Sequence, residues 1–247
     1  MSINLKLTAL YSEYWDELIG EAEHVSNITH PLLIEVDETK FSDAHYKVMI
    51  FGQETDGWHG EFPKKENQLS IEKLMSCYKK YFYSNRCPRR PFWNSANFKH
   101  FETTLTKYFQ DKGKKTGFIW NNLSKIGKVS SGKAGKGIRS LELKYLDVIK
   151  REVEILKPDI IIFTTGHSRD HYINRAFGND RVEFIYPSIK FDTIGKSFQD
   201  KNNIAKLRLL DFPEITAIRV EHPNRRTTDN NLISNILIDS ICHKQKI

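Results

Sequence analysis

Val48–Met49–Ile50–Phe51–Gly52–Gln53–Glu54–Thr55–Asp56–Gly57–Trp58 is the stretch on which the fold turns. Its first four residues are apolar, too few for a helix and rich in β-formers, so the run predicts a buried strand. Gly52 breaks the run, and the carboxylates Glu54 and Asp56 follow at once. A buried strand that ends in glycine and acids delivers polar groups to the carboxyl edge of a parallel sheet, where open α/β folds bind ligands. The plainer alternative is a strand followed by a solvated turn.

Working outward, three more short apolar runs end in polar residues. Gly117–Phe118–Ile119–Trp120 leads to Asn121–Asn122. Asp159–Ile160–Ile161–Ile162–Phe163 follows a helix stopped by Pro158 and closes in Thr164–Thr165–Gly166–His167. Ile215–Val220 runs into Glu221–His222–Pro223–Asn224–Arg225–Arg226. Helical stripes separate them: one amphipathic helix over 5–24, then stripes over 69–82, 98–109, 141–156, 172–177 and 232–241. Residues 182–212 contain β-like pieces whose order the pattern does not give. Strands alternating with helices predict a central four-stranded parallel sheet with helices on both faces, a three-layer α/β/α sandwich. No linker divides the chain, so residues 1–247 are expected to form one domain, with 1–45 a helical extension packed on it.

Ser124 to Arg139 holds five Lys or Arg, four Gly, three Ser and no acid. That composition predicts a mobile basic loop. The overall charge is +7, but residues 1–40 carry eight acids against two bases, so the remainder carries +13. The asymmetry points to one face that favours a polyanion. Lys125, Lys128, Lys133, Lys136, Arg139, Asn224, Arg225 and Arg226 are the expected backbone contacts, and aromatics could stack on exposed bases, although Trp58, Phe62, Phe92 and Trp93 read first as core residues. Cys77, Cys87 and Cys242 are widely spaced and odd in number, which suggests reduced thiols in a cytoplasmic protein. No apolar run is long enough to span a membrane, and the first ten residues lack the plan of a signal peptide. His167 and His171 have the spacing of two ligands on one helix face, but no third ligand accompanies them, and no metal or cofactor is expected. Phosphate-loop, dinucleotide and nucleophile-elbow motifs are absent.

In a parallel sheet the four strand ends fall on one edge. Carboxylate, amide and imidazole groups gathered there could orient a water, read a base edge and stabilise an anion.

With these residues in view, the chain resembles the uracil-DNA glycosylase superfamily over roughly residues 46–240, by element order and by three short motifs. Gly52–Gln53–Glu54–Thr55–Asp56–Gly57 stands where the best-known branch has GQDPYH. Asn121 matches the asparagine after the second strand. His222–Pro223–Asn224–Arg225–Arg226 occupies the place of HPSPL. The resemblance implies an enzyme that flips a damaged base out of DNA so that water attacks C1′ of the sugar. Glu54 would orient the water, one methylene longer than the family Asp. Gly52 and Gln53 would contact the base, and Asn121 would pair with its Watson–Crick edge. His222 would donate a hydrogen bond to the departing base anion. Residues 223–226 would press into the minor groove. Asp56 replaces the family tyrosine that bars thymine, which makes it a further catalytic candidate and widens the expected base range. Trp58 or Phe92 would form the stacking wall. The expected partner is DNA, bound by a monomer. Two other readings stay open: a non-catalytic nucleic-acid-binding protein on the same fold, and a nucleoside or small-molecule hydrolase.

Overall fold

Val48–Phe51 lies in the first half of an eleven-residue strand, β1 (Tyr46–Asp56), in a computed structural model of the chain. The structure describes residues 1–63, 68–84, 96–130, 133–186, 192–193, 196–197, 204–221 and 230–244. By contact they divide into two compact units. One comprises Met1–Glu38, Gln53–Cys87 and Asn121–Leu156; the other comprises Thr39–Gly52, Pro88–Trp120 and Lys157–Ile247.

The larger strands are β1, β2 (Thr116–Lys128), β3 (Ile160–Phe163), β4 (Val182–Ile185), β7 (Ile204–Leu209) and β8 (Thr216–Val220); β5 (Asp192–Thr193) and β6 (Lys196–Ser197) form a separate two-stranded hairpin. The main sheet has the order β2-β1-β3-β8-β7-β4. β1 and β3 run parallel with Val48 opposite Ile160 and Phe51 opposite Phe163. β3 and β8 run parallel with Ile160 opposite Thr216 and Phe163 opposite Arg219. β7 and β4 then continue the sheet antiparallel. The fold is therefore mixed α/β. The expected four strands are neighbours, but the sheet has six, because the β-like pieces of 182–212 supply two more.

In the second unit the interiors of β1 and β3 are apolar on both faces. Val48, Met49, Ile50, Phe51, Ile161, Ile162 and Phe163 are fully buried. Phe51 stacks on Phe163 with ring centroids 4.9 Å apart, and Phe163 meets Phe177 edge-on at 6.0 Å. Each such side chain contributes roughly 1.5–3 kcal/mol by leaving water. The helices of this unit are α5 (Ala96–Gln110), α8 (Asp170–Phe177), which follows the 3-10 turn His167–Arg169, and α9 (Asn230–Lys244). The short α3 (Glu38–Ser42) begins at the last residue of the first unit.

The first unit is built of α1 (Ile3–Ser12), α2 (Trp15–Ala22), α4 (Ile71–Ser84), α6 (Lys136–Tyr145), α7 (Ile149–Leu156) and the second halves of β1 and β2. Leu18, Ala22, Ile28, Phe62, Ile126, Ile138, Leu141 and Leu146 form a core here. Two of the expected helices are broken. The stripe over 5–24 is α1 and α2, because Tyr14 leaves the helical region at φ −133°. The stripe over 141–156 is α6 and α7, separated at Leu146 to Val148, both buried. No helix among the described residues is long and apolar enough to cross a membrane.

Candidate functional site

β1 does not stop at Gly52. It continues through Gln53, Glu54 and Thr55 to Asp56, so the glycine is a strand residue and not a break. Beyond it, Gly57 (φ +65°), His59 (φ +50°) and Gly60 (φ +74°) make a left-handed turn closed by the Gly60 N–H donating to Gly57 O at 3.3 Å. Trp58 is buried, edge-on to Tyr81 at 5.3 Å and to His59 at 4.6 Å, so it packs this turn. Burial holds the His59 imidazole below its ordinary value, helped by the charges of His30 and Lys73.

Glu54 is the carboxylate this strand presents, with a side chain 19% exposed. The Arg139 guanidinium forms an ion pair with it. The same guanidinium donates from Nη1 to Glu142 Oε2 at 3.0 Å, and Glu142 Oε1 accepts the backbone N–H groups of Lys125 and Ile126. Next door, Thr55 Oγ1 shares a hydrogen bond with Thr29 Oγ1 at 3.2 Å, and Thr29 Oγ1 accepts the Gly127 N–H at 2.9 Å. A Cβ at Gly127 would collide with the Thr55 carbonyl and hydroxyl, so only glycine fits against β1 there.

Of the stretch Ser124 to Arg139, the residues up to Lys128 are strand and those from Lys136 on are helix. Ile126 and Ile138 are core residues. The basic composition misleads because two of its cations are paired internally. Lys125 is 1% exposed and donates to Glu152 Oε1 at 2.7 Å and to Asn121 Oδ1 at 2.8 Å. Burial pushes its ammonium below the ordinary lysine value, and Glu152 pulls the other way. It is thus turned away from any polyanion. Arg139 is the second such cation. Lys133 and Lys136 are exposed and Lys128 half-buried.

Asn121 is fully buried, and both ends of its amide are engaged. Its Nδ2 donates to Glu152 Oε2 at 2.8 Å, and its Oδ1 accepts from Lys125 Nζ and from the Asn122 N–H. The expected pairing with a base edge would require giving up these bonds. Tyr11 completes the cluster by donating to Glu152 Oε1 at 2.6 Å and accepting the Ile34 N–H at 3.1 Å. Its phenol lies well above its ordinary value, first through burial and then through the Glu152 charge. Asn122 Nδ2 and Ser124 Oγ, on the same strand, have no hydrogen-bond partner among the described residues.

In the second unit, β3 and β8 end at one edge, with the end of β3 level with Phe51 of β1. The Thr164 N–H and hydroxyl both donate to Phe51 O, at 2.9 and 2.8 Å. Gly166 (φ +71°) donates to Val220 O at 3.0 Å, and His167 opens the 3-10 turn. Arg219 is fully buried and clasped by Asp170, Nε to Oδ1 at 2.9 Å and Nη2 to Oδ2 at 3.1 Å. Burial raises the Asp170 carboxyl above its ordinary value, against the pull of Arg219. Among the described residues no group of three or more His, Cys, Asp or Glu could hold a metal ion.

His222, Phe92, Asn224, Arg225 and Arg226 lie outside the described residues, as does the Asp56 side chain. Tyr11, Glu142, Glu152 and the Arg219–Asp170 pair were not singled out from the sequence. One signal existed: Glu152 sits on the stripe Ile149, Val153, Leu156, a charge on the apolar face of α7. No protein-family model matches the chain, and no curated protein matches it.

Proposed function

We propose that the chain is a DNA glycosylase-like enzyme, of the uracil-DNA glycosylase kind in its three-layer fold, that hydrolyses the N-glycosidic bond of uracil or another modified base. One observation carries the reading. The four strands named by the resemblance stand side by side as β2-β1-β3-β8, and β1, β3 and β8 run parallel, so that Thr164 and Glu221, which follow β3 and β8, lie toward the same edge as Gly52 within β1. The three motifs thus belong to one contiguous block of four strands, in which β2, second in the chain, stands outside β1 at the margin of the sheet.

In the proposed reaction the bond between C1′ and the base nitrogen breaks, and its electron pair leaves with the base. Water adds to C1′, and the proton it loses ends on the base. Glu54, two residues beyond Gly52, orients that water and offsets the positive charge developing on the sugar. His222 donates a hydrogen bond to the departing base. Lys133 and Lys136 neutralise phosphates. Gln53 contacts the base. Asn121 is left out of the reading, because its amide is engaged at both ends.

The engagement of Glu54 by Arg139 and of Asn121 by Lys125 favours a second reading, a nucleic-acid-binding protein that does no chemistry. Uracil-, hypoxanthine- and xanthine-containing oligonucleotides, incubated with the protein and then treated with alkali, decide between them. The enzyme reading expects strand cleavage that Glu54→Ala and His222→Ala both abolish. Salt-sensitive binding that survives Glu54→Ala, with no cleavage above the two variants on any oligonucleotide, leaves the second reading standing and overturns the first.

A further inference from the structure

We infer that Arg139 is a positioning residue for the Glu54 carboxylate and not a phosphate contact, and that Glu142 positions Arg139 in turn. The inference rests on the reading of Glu54 as the reacting carboxylate.

A glutamate has one more rotatable bond than the aspartate the resemblance places at this point. Fixing that bond costs side-chain entropy, and a carboxylate left to wander would orient a water poorly. The first unit contains a device that removes the freedom. Arg139 and Glu142 are three residues apart on α6 and so share a face. The guanidinium is planar with a fixed fork, so holding one of its edges fixes the other. One nitrogen, Nη1, is held by Glu142 at 3.0 Å, and Nη2 reaches Glu54. Glu142 is itself held, 3% exposed, with Oε1 on two successive N–H groups of β2. On the backbone side, Thr55 is pinned by Thr29 and by the close approach of Gly127. Glu54 is therefore fixed through its side chain and through its neighbour in the strand.

The charges also fit. Two carboxylates share one guanidinium, so the trio keeps a net negative charge. Glu142 is further satisfied by the β2 amides, which leaves the residual charge on the Glu54 side, where a cationic sugar would develop. A phosphate contact fits badly. The Arg139 side chain is 14% exposed and lies between two anions. Turning to a phosphate would leave Glu142, nearly buried, without its counter-charge.

Arg139→Lys, Arg139→Gln and Glu142→Gln test the assignment. An ammonium preserves a phosphate contact but cannot hold two carboxylates in one plane. The expected result is that Arg139→Lys and Arg139→Gln both lower the single-turnover excision rate by roughly 10- to 100-fold. Glu142→Gln should lower it too, and the slope of log affinity against log salt should stay as in the wild type. A slope that falls by about one unit in Arg139→Gln and is restored in Arg139→Lys would make Arg139 a phosphate contact and overturn the inference. Failure of the enzyme reading looks different: the wild type itself makes no alkali-sensitive sites. In that event a thermal-unfolding cycle of Glu54→Gln, Arg139→Gln and the double variant still decides the clamp. Non-additive melting shifts support it, and additive shifts overturn it.

Discussion

Val48–Phe51 and Asn121–Gly127 are both buried strand segments, and they are buried by opposite means. The first lies among Ile160–Phe163 and removes apolar surface from water on both faces. The second places Asn121, Asn122, Ser124 and Lys125 at 2% exposure or less, and it holds Asn121 and Lys125 there with Glu152, Tyr11 and Glu142. Apolar burial is divisible, since each methylene adds its share and loses only that when removed. Polar burial is not, because a partner taken away leaves a charge or dipole that water no longer reaches.

The widest gap between the two segments should come from Lys125→Met. It strands the Glu152 carboxylate and is expected to cost about 3–5 kcal/mol in urea unfolding. Adding Glu152→Leu should return much of the loss; a double variant as unstable as the single would mean that the cluster is held by something other than the ion pair. Arg219→Met in β8 should cost less, about 1–3 kcal/mol, since the Asp170 side chain left behind is 20% exposed and can hydrate. Gly127→Ala, forced against Thr55, should cost about 1–3 kcal/mol by overpacking, read as a fall in melting temperature. The smallest change belongs to the apolar segment: Ile162→Val should cost about 0.5–1.5 kcal/mol. If it matched Lys125→Met, the contrast would collapse.

A pH series sharpens the same comparison. The Tyr11 phenol titrates higher in the folded chain than in the unfolded one. Its stabilisation is therefore fully present below the unfolded value of about 10 and is lost as pH rises above it. Tyr11→Phe should flatten that alkaline decline. A decline of the same steepness in the variant would place its origin elsewhere.

The same contrast explains what was legible. β1, β3 and β8 announce themselves as short β-branched runs, and α4 and α5 as apolar stripes. The second half of β2 and the start of α6 read as a basic loop, because patterning sees Lys125 and Arg139 as charges and cannot see that Glu152, Glu142 and Glu54 neutralise them from distant positions. Sequence reasoning reached Glu54 through its place after a strand. It named Arg139 as a phosphate contact without its ion pair to Glu54 and passed over Glu142, because Glu54 and Arg139 are 85 residues apart in the chain.

The acidic start of the chain has a chromatographic consequence. Glu13 pairs with Arg151, Glu21 with Lys144, and Glu35 with Lys79. Part of the basic excess beyond residue 40 is thus neutralised within the molecule, so the whole chain should bind a cation exchanger or a heparin column as its net charge of +7 dictates, more weakly than the +13 beyond residue 40 alone would suggest.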